Sequence, residues 1–106
     1  MADFLGLMKQ ANELKSKMEA LQAELDHIEV EGTAGGGIVT VKMTAKGEVK
    51  SVHIDPSLMK PEEREVAEDL IVAAHADARR RAEATLQEKM TSLAGGLPLP
   101  PGLKLF

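Results

Sequence analysis

The sequence predicts an α+β fold in the order helix, three-stranded antiparallel meander, helix. Three observations predict it. Apolar residues recur at helical spacing in two long stretches, Phe4 to Ile28 and Val66 to Leu93. Alternating runs with strand periodicity lie between them, broken by Gly32, by Gly35-Gly36-Gly37 and by Lys46-Gly47. Both helical stretches are too long for the small core that the rest of the chain can build, so they should project from it.

Phe4, Leu7, Ala11, Leu14, Met18, Leu21, Leu25 and Ile28 recur at alternating steps of three and four. From Lys9 to His27 the positions between them are polar, charged or alanine. A 3.5-residue period over this length describes a helix with a narrow coiled-coil-like seam. Such a helix runs about 37 Å at 1.5 Å per residue, against a radius of gyration of about 13 Å for a compact domain of this size. One end should overhang. The seam, with Leu7, Ala11, Leu14, Met18, Leu21 and Leu25 at its centre, then needs a partner: the second long helix or a second copy of the chain. Asp3 is placed to cap this helix, and Glu13 and Lys17 form a favourable i,i+4 pair on its outside.

Glu29-Val30-Glu31 opens the first strand, which continues toward Ala34. The three consecutive glycines at 35–37 point to a turn, a bulge or a close approach of another backbone. Ile38 to Ala45 reads as the second strand, with Val39, Val41, Met43 and Ala45 on one face and Thr40, Lys42 and Thr44 on the other. Lys46-Gly47 marks a tight turn. Glu48 to Ile54 returns, and its alternation slips between Val49 and Val52, which suggests a bulge near Lys50-Ser51. Asp55-Pro56 ends the strand. Pro61 suits a first helical turn, and Glu62, Glu63 and Glu65 complement the helix dipole. The second helix carries Val66, Leu70, Ile71, Ala74, Ala78, Ala82, Leu86, Met90 and Leu93 on its apolar side, and Gly95-Gly96 stops it. The organisation is a single domain over residues 1–94 with a Gly/Pro/Leu-rich tail over 95–106. A meander flanked by two overhanging helices makes a plausible half of a homodimer.

Composition narrows the function. The 106 residues contain no Cys, Trp or Tyr and only two Phe, which excludes a disulfide framework, a thiolate zinc site and a thiol nucleophile. Residues 1–10 carry Asp3 and lack a long apolar run, so no signal peptide is expected. No segment approaches the roughly 18 apolar residues of a membrane span. An intracellular, soluble protein is the expectation. Ser16, Ser51, Ser57 and Ser92 form no nucleophile-elbow pattern. His27, His53 and His75 fall on three different elements, without metal-site spacing. Gly32 to Gly37 lacks the Lys and the following helix of a phosphate-binding loop. No catalytic residue, metal, cofactor or small-molecule substrate is indicated.

The net charge of −4, from 13 basic and 17 acidic residues, does not announce a polyanion partner. A nucleic-acid site would rest on local basic patches. Arg79-Arg80-Arg81 is the one run of three, and Lys9, Lys15 and Lys17 form a looser cluster on the first helix. The three arginines sweep about 200° of a helix. Arg79 can pair with Glu83 and Arg81 with Asp77, so the run is also compatible with a self-paired, solvated face.

Val30 to Val39 (Val-Glu-Gly-Thr-Ala-Gly-Gly-Gly-Ile-Val) resembles the signature of the YbaB/EbfC family of nucleoid-associated proteins. So do Gly47 to Leu58, Glu68 to Ala74 followed by Asp77-Ala78, and the tail motifs Gly95-Gly96-Leu97-Pro98 and Pro100-Pro101-Gly102-Leu103. The resemblance covers nearly the whole chain in order. It implies a bacterial homodimer that binds double-stranded DNA, alters its shape and associates with the nucleoid in the cytoplasm, with roles in gene regulation or DNA protection. It brings no DNA-contact motif. From charge, the expected contacts are Lys9, Lys15, Lys17, Arg79, Arg80 and Arg81, with Lys89 added, and they are expected to read phosphates rather than bases. The alternative is a protein–protein adaptor or prefoldin-like holdase that uses the helical seam and the apolar tail.

Overall fold

A computed structural model describes residues 2–95. Helix α1 (Ala2–His27) leads into β1 (Glu29–Ala34), β2 (Val39–Thr44) and β3 (Val49–Ile54), and helix α2 (Arg64–Gly95) closes the order. The strands form one antiparallel sheet in the order β1-β2-β3. The molecule is elongated, 73 × 26 × 15 Å with a radius of gyration of 20.0 Å, well above the roughly 13 Å of a compact domain this size. The predicted α+β fold and its projecting helices are what the structure shows.

Alternation along the strands decides the packing. Val39, Val41 and Met43 of β2 lie on one face and are fully buried against Ala74, Ala78 and Ala82 of α2, with Leu58 beside them. The four-residue spacing puts these alanines on one side of α2, and their small side chains bring the helix close to the sheet. Gly32, paired with Val41, completes the contact. A Cβ added there would fall on Ala78 N and Ala74 O and lie 2.6 Å from Ala78 Cα. The sheet's other face carries Thr40, Lys42, Ser51 and His53 and has no helix over it among the described residues, the usual one-sided burial of an antiparallel sheet. Thr44, expected on that polar face, is buried at the β2–β3 turn, where its Oγ1 accepts from Glu48 N at 3.3 Å.

The glycine triplet is a tight turn between β1 and β2, with φ of 65°, 74° and 99°. The close backbone approach that it suggested occurs three residues earlier, at Gly32. The bulge expected in β3 is present. Lys42 pairs with Ser51 and Met43 with Val49, which leaves Lys50 as the extra residue. Asp55 ends the strand by accepting from Ser57 N at 2.9 Å. Two expectations shift by a few residues. Pro61 opens a short 3-10 turn (Pro61–Glu63), and α2 itself starts at Arg64. Helix α1 already includes Ala2, so Asp3 lies in its first turn and complements the dipole instead of capping it.

The α1 seam is covered over only part of its length. Leu21 and Leu25 are buried with Ala45, and Ile28, Leu86, Met90 and Leu93 pack around them. Met18 is half-buried. Ala11 is exposed, and Leu7, Leu14 and Phe4 expose 63%, 39% and 65% of their surface. The sheet-proximal end of α1 meets the C-terminal part of α2, beyond the stretch of α2 that packs on the sheet, and the first part of α1 stands free of its own chain. The Gly/Pro/Leu tail lies outside the described residues.

Gly32→Ala is expected to lower stability by about 3 kcal/mol or more, because backbone on both sides must give way. Gly36→Ala meets open space and should lose only the roughly 1–2 kcal/mol of a left-handed conformation. Urea unfolding followed by helical circular dichroism separates the two.

Candidate nucleic-acid interface

The basic residues fall into two groups with different electrostatics. On α2 every predicted arginine has an acidic partner. Arg79 Nε donates to Glu83 Oε1 at 3.2 Å. Arg81 Nε donates to Asp77 Oδ2 at 3.3 Å, and Arg80 Nη2 lies 3.6 Å from Asp77 Oδ1. The arginine run is therefore the self-paired face that its spacing allowed. All three guanidiniums stay exposed, so these pairs are weak. They nevertheless cancel charge locally.

Asp77 is the hub of this group. It is half-buried, and its Oδ2 also accepts the amide N–H of Thr33 at 3.0 Å. That amide belongs to β1, an outer strand of the sheet, so Asp77 ties the strand's edge to α2. The Thr33 N–H bond, with Arg81 and Arg80 beside it, holds the Asp77 carboxyl below its ordinary value of 3.8. Asp55 is lowered too, chiefly by the amide of Ser57.

Lys89 is engaged as well. Its Nζ lies 2.7 Å from Glu24 Oε1, the hydrogen bond raises its pKa, and the pair bridges α2 to α1. It is a tie between the helices rather than an unmatched charge.

On α1 the picture reverses. Lys9, Lys15 and Lys17 are exposed, and none has an ion-pair partner among the described residues. Lys9 and Lys17 line one shallow groove on the outside of the helix, with Glu13 and Ser16 between them. Lys15 points elsewhere, about 240° around the helix from Lys9. The three lysines sit on the part of α1 that overhangs, together with Asp3 and Glu13, while Glu19, Glu24 and Asp26 follow nearer the sheet. The structure thus does not merge the lysines and the arginines into one patch on a single chain. Lys42, which the sequence reading left out, stands exposed on the open sheet face beside Glu31. No group of three or more metal-ligating side chains is present among the described residues, and no described helix is long and apolar enough to cross a membrane.

Residues 1–97 match the YbaB/EbfC DNA-binding family. The chain belongs to this family. A nucleoid-associated protein of Nitrobacter hamburgensis is 69% identical over 105 residues and one of Rhodopseudomonas palustris is 70% identical, each aligned over 99% of both chains. Among solved structures, an uncharacterized protein of Helicobacter pylori superposes with a TM-score of 0.75 at 22% identity, over 84% of this chain and 94% of that one. At that identity the likeness shows a shared fold.

Because the native carboxylates of Asp77 and Asp55 have depressed pKa values, their stabilisation is fully present above the ordinary carboxylate range. It is lost as pH falls through 3.8 and below, where the unfolded chain binds protons first. Asp77→Asn should flatten the loss of stability between pH 5 and 3, measured by urea midpoints. An equally steep loss in the variant would assign the acid sensitivity elsewhere.

Proposed function

We propose that this protein is a nucleoid-associated architectural protein that binds double-stranded DNA as a homodimer, mainly through phosphates, and alters its conformation. Membership of a DNA-binding family over residues 1–97 carries the reading. The relatives' designation as nucleoid-associated proteins supports a place in the nucleoid and roles in its organisation, in gene regulation or in DNA protection. With a net charge of −4, attraction to DNA must be local. The overhanging part of α1 offers it, because Lys9, Lys15 and Lys17 are exposed there and hold no ion pair among the described residues, with only Asp3 and Glu13 beside them. Arg79, Arg80 and Arg81 contribute less than their number suggests, since Asp77 and Glu83 offset them. Lys89 contributes least while it holds Glu24. Contacts of this kind place a protein on the backbone without reading bases.

A salt titration on a short random duplex tests this. Affinity should fall linearly on a log–log plot, with a slope near −0.9 for each neutralised phosphate. Replacing Lys9, Lys15 and Lys17 with Gln should make the slope shallower by about one for each lysine that touches a phosphate. The same change at Arg79, Arg80 and Arg81 should cost less. Asp77→Asn keeps an acceptor for Thr33 N–H while releasing Arg80 and Arg81, and should tighten binding several-fold at low salt. Affinity that ignores the lysines in a folded variant would remove α1 from the interface.

The bare seam at Phe4, Leu7 and Leu14 favours a second reading, a surface for a protein partner. Phe4→Ser with Leu7→Ser should abolish capture of such a partner and leave duplex binding in place. Loss of duplex binding alone would speak for DNA.

A further inference from the structure

The seam of α1 becomes bare at the level where α2 ends. The alignment of the two helices follows from their contacts. Helix α1 runs into β1, whose Val30 and Glu31 lie beside Ala84 and Thr85 of α2. Past that level α2 continues beyond the sheet, and α1 lies beside it in the opposite direction. Glu24 Oε1 is 2.7 Å from Lys89 Nζ, and Leu21 and Leu25 pack with Leu86, Met90 and Leu93. Gly95, the last residue of α2, is six residues past Lys89. It therefore comes level with Met18, six residues before Glu24. Helix α2 and the stretch of α1 beyond Met18 then span about 72 Å at 1.5 Å per residue, which accounts for the 73 Å length of the molecule.

Exposure follows this alignment. Leu25 and Leu21 are buried, Met18 is half-buried, and Leu14, Leu7 and Phe4 are exposed. The bare positions continue the heptad series of the buried ones, so they face the side on which a longer α2 would lie. An isolated helix of about 12–15 residues is marginal in water, and the uncovered part of α1 is about that long.

Residues 96–106 follow Gly95 in the sequence, at the level where the cover stops. Residues 97–106 hold four Leu, three Pro and one Phe, with Lys104 the one charged residue. We propose that this segment seats on the bare seam of its own α1, from Leu14 to Phe4, in the place that a longer α2 would take. Spacing and reach support it. A Pro-rich chain in the polyproline conformation rises about 9.3 Å over three residues, close to the roughly 10.5 Å of a heptad on a helix. Three-residue steps along the segment give Leu97, Pro100 and Leu103. Counted from Gly95, the first two come level with Leu14 and Leu7, and Leu103 comes level with the first turn of α1, where Phe4 stands exposed. The chain need not reverse, because α2 already points along the overhang. Tethering at Gly95 gives the segment a local concentration on the order of millimolar, which favours it over an untethered apolar partner. Seated there, it holds the arm in line with α2, and a protein that takes the seam must first displace it.

The chain has no cysteine, so a pair of introduced thiols reports one contact. Leu7→Cys with Pro100→Cys probes the seam. Lys9→Cys with Pro100→Cys is the control, because Lys9 lies on the outer groove of α1, about 200° around the helix from Leu7 and at a similar distance from Gly95. Leu7 and Lys9 are exposed, so both variants should fold. Under mild oxidation a single-mass, intrachain disulfide should form several-fold faster in the first pair than in the control. Equal rates describe a segment that is tethered but not seated, and overturn the proposal. A double-mass product in the first pair puts the segment on another copy and overturns it too. A second measurement needs no thiol. Leu97→Ser with Leu103→Ser in the full chain should speed amide hydrogen exchange over residues 4–14 several-fold and leave β2 as it was. Unchanged exchange over residues 4–14 also overturns the seating.

Discussion

The contact of Gly32 with the backbone of α2 at Ala74 and Ala78 sets the distance between helix and sheet, and the rest of the architecture follows from that distance. With a side chain at position 32 the helix would ride higher, and Ala74, Ala78 and Ala82 would no longer reach Val39, Val41 and Met43. Small residues on both sides make the core thin. A thin core holds few large side chains, and this chain with two Phe and no Trp or Tyr needs little more. The Thr33–Asp77 hydrogen bond fastens the same two elements one residue further along.

The same economy leaves surface unspent. One helix over three strands leaves β3 uncovered, and a short contact at Leu21 and Leu25 leaves the first half of α1 uncovered. The two bare regions differ in kind. The β3 region is a strand paired with β2 and continuous with the core. The α1 overhang is a single exposed helix that carries Lys9, Lys15 and Lys17 with Asp3 and Glu13. Charge follows this division. The basic residues Arg79, Arg80, Arg81 and Lys89 of α2 hold ion pairs, and Lys9, Lys15 and Lys17 on the projecting part of α1 hold none among the described residues.

Much of this was legible in the chain. Periods of 3.5 and 2 gave the element order, and the slip between Val49 and Val52 gave the bulge. Four-residue spacing named the partners of Arg79 and Arg81 in advance. Interactions distant in sequence were not legible. Asp77 and Thr33 are 44 residues apart, so nothing local marks the carboxylate as a hub. The glycine run drew attention away from Gly32, because a close approach depends on which helix lies overhead. Periodicity also marks a seam without saying what covers it, so the bare end of α1 looked the same as the buried end. The pairing of Lys89 with Glu24 likewise joins two elements that local spacing cannot relate.

The union of α1 with α2 at Leu21, Leu25, Leu86 and Met90 also makes α1 a lever with a soft fulcrum. From Leu21 to the start of the helix is about 28 Å at 1.5 Å per residue. A tilt of about 10° at the fulcrum, within what aliphatic and methionine packing absorbs by rotamer changes, carries the tip about 5 Å while the sheet stays still. In the same tilt Lys9, about 18 Å from Leu21, travels about 3 Å, and Lys17, about 6 Å away, travels about 1 Å. The free end of the arm can thus shift by several ångströms at little elastic cost while the residues nearest the fulcrum stay almost in place.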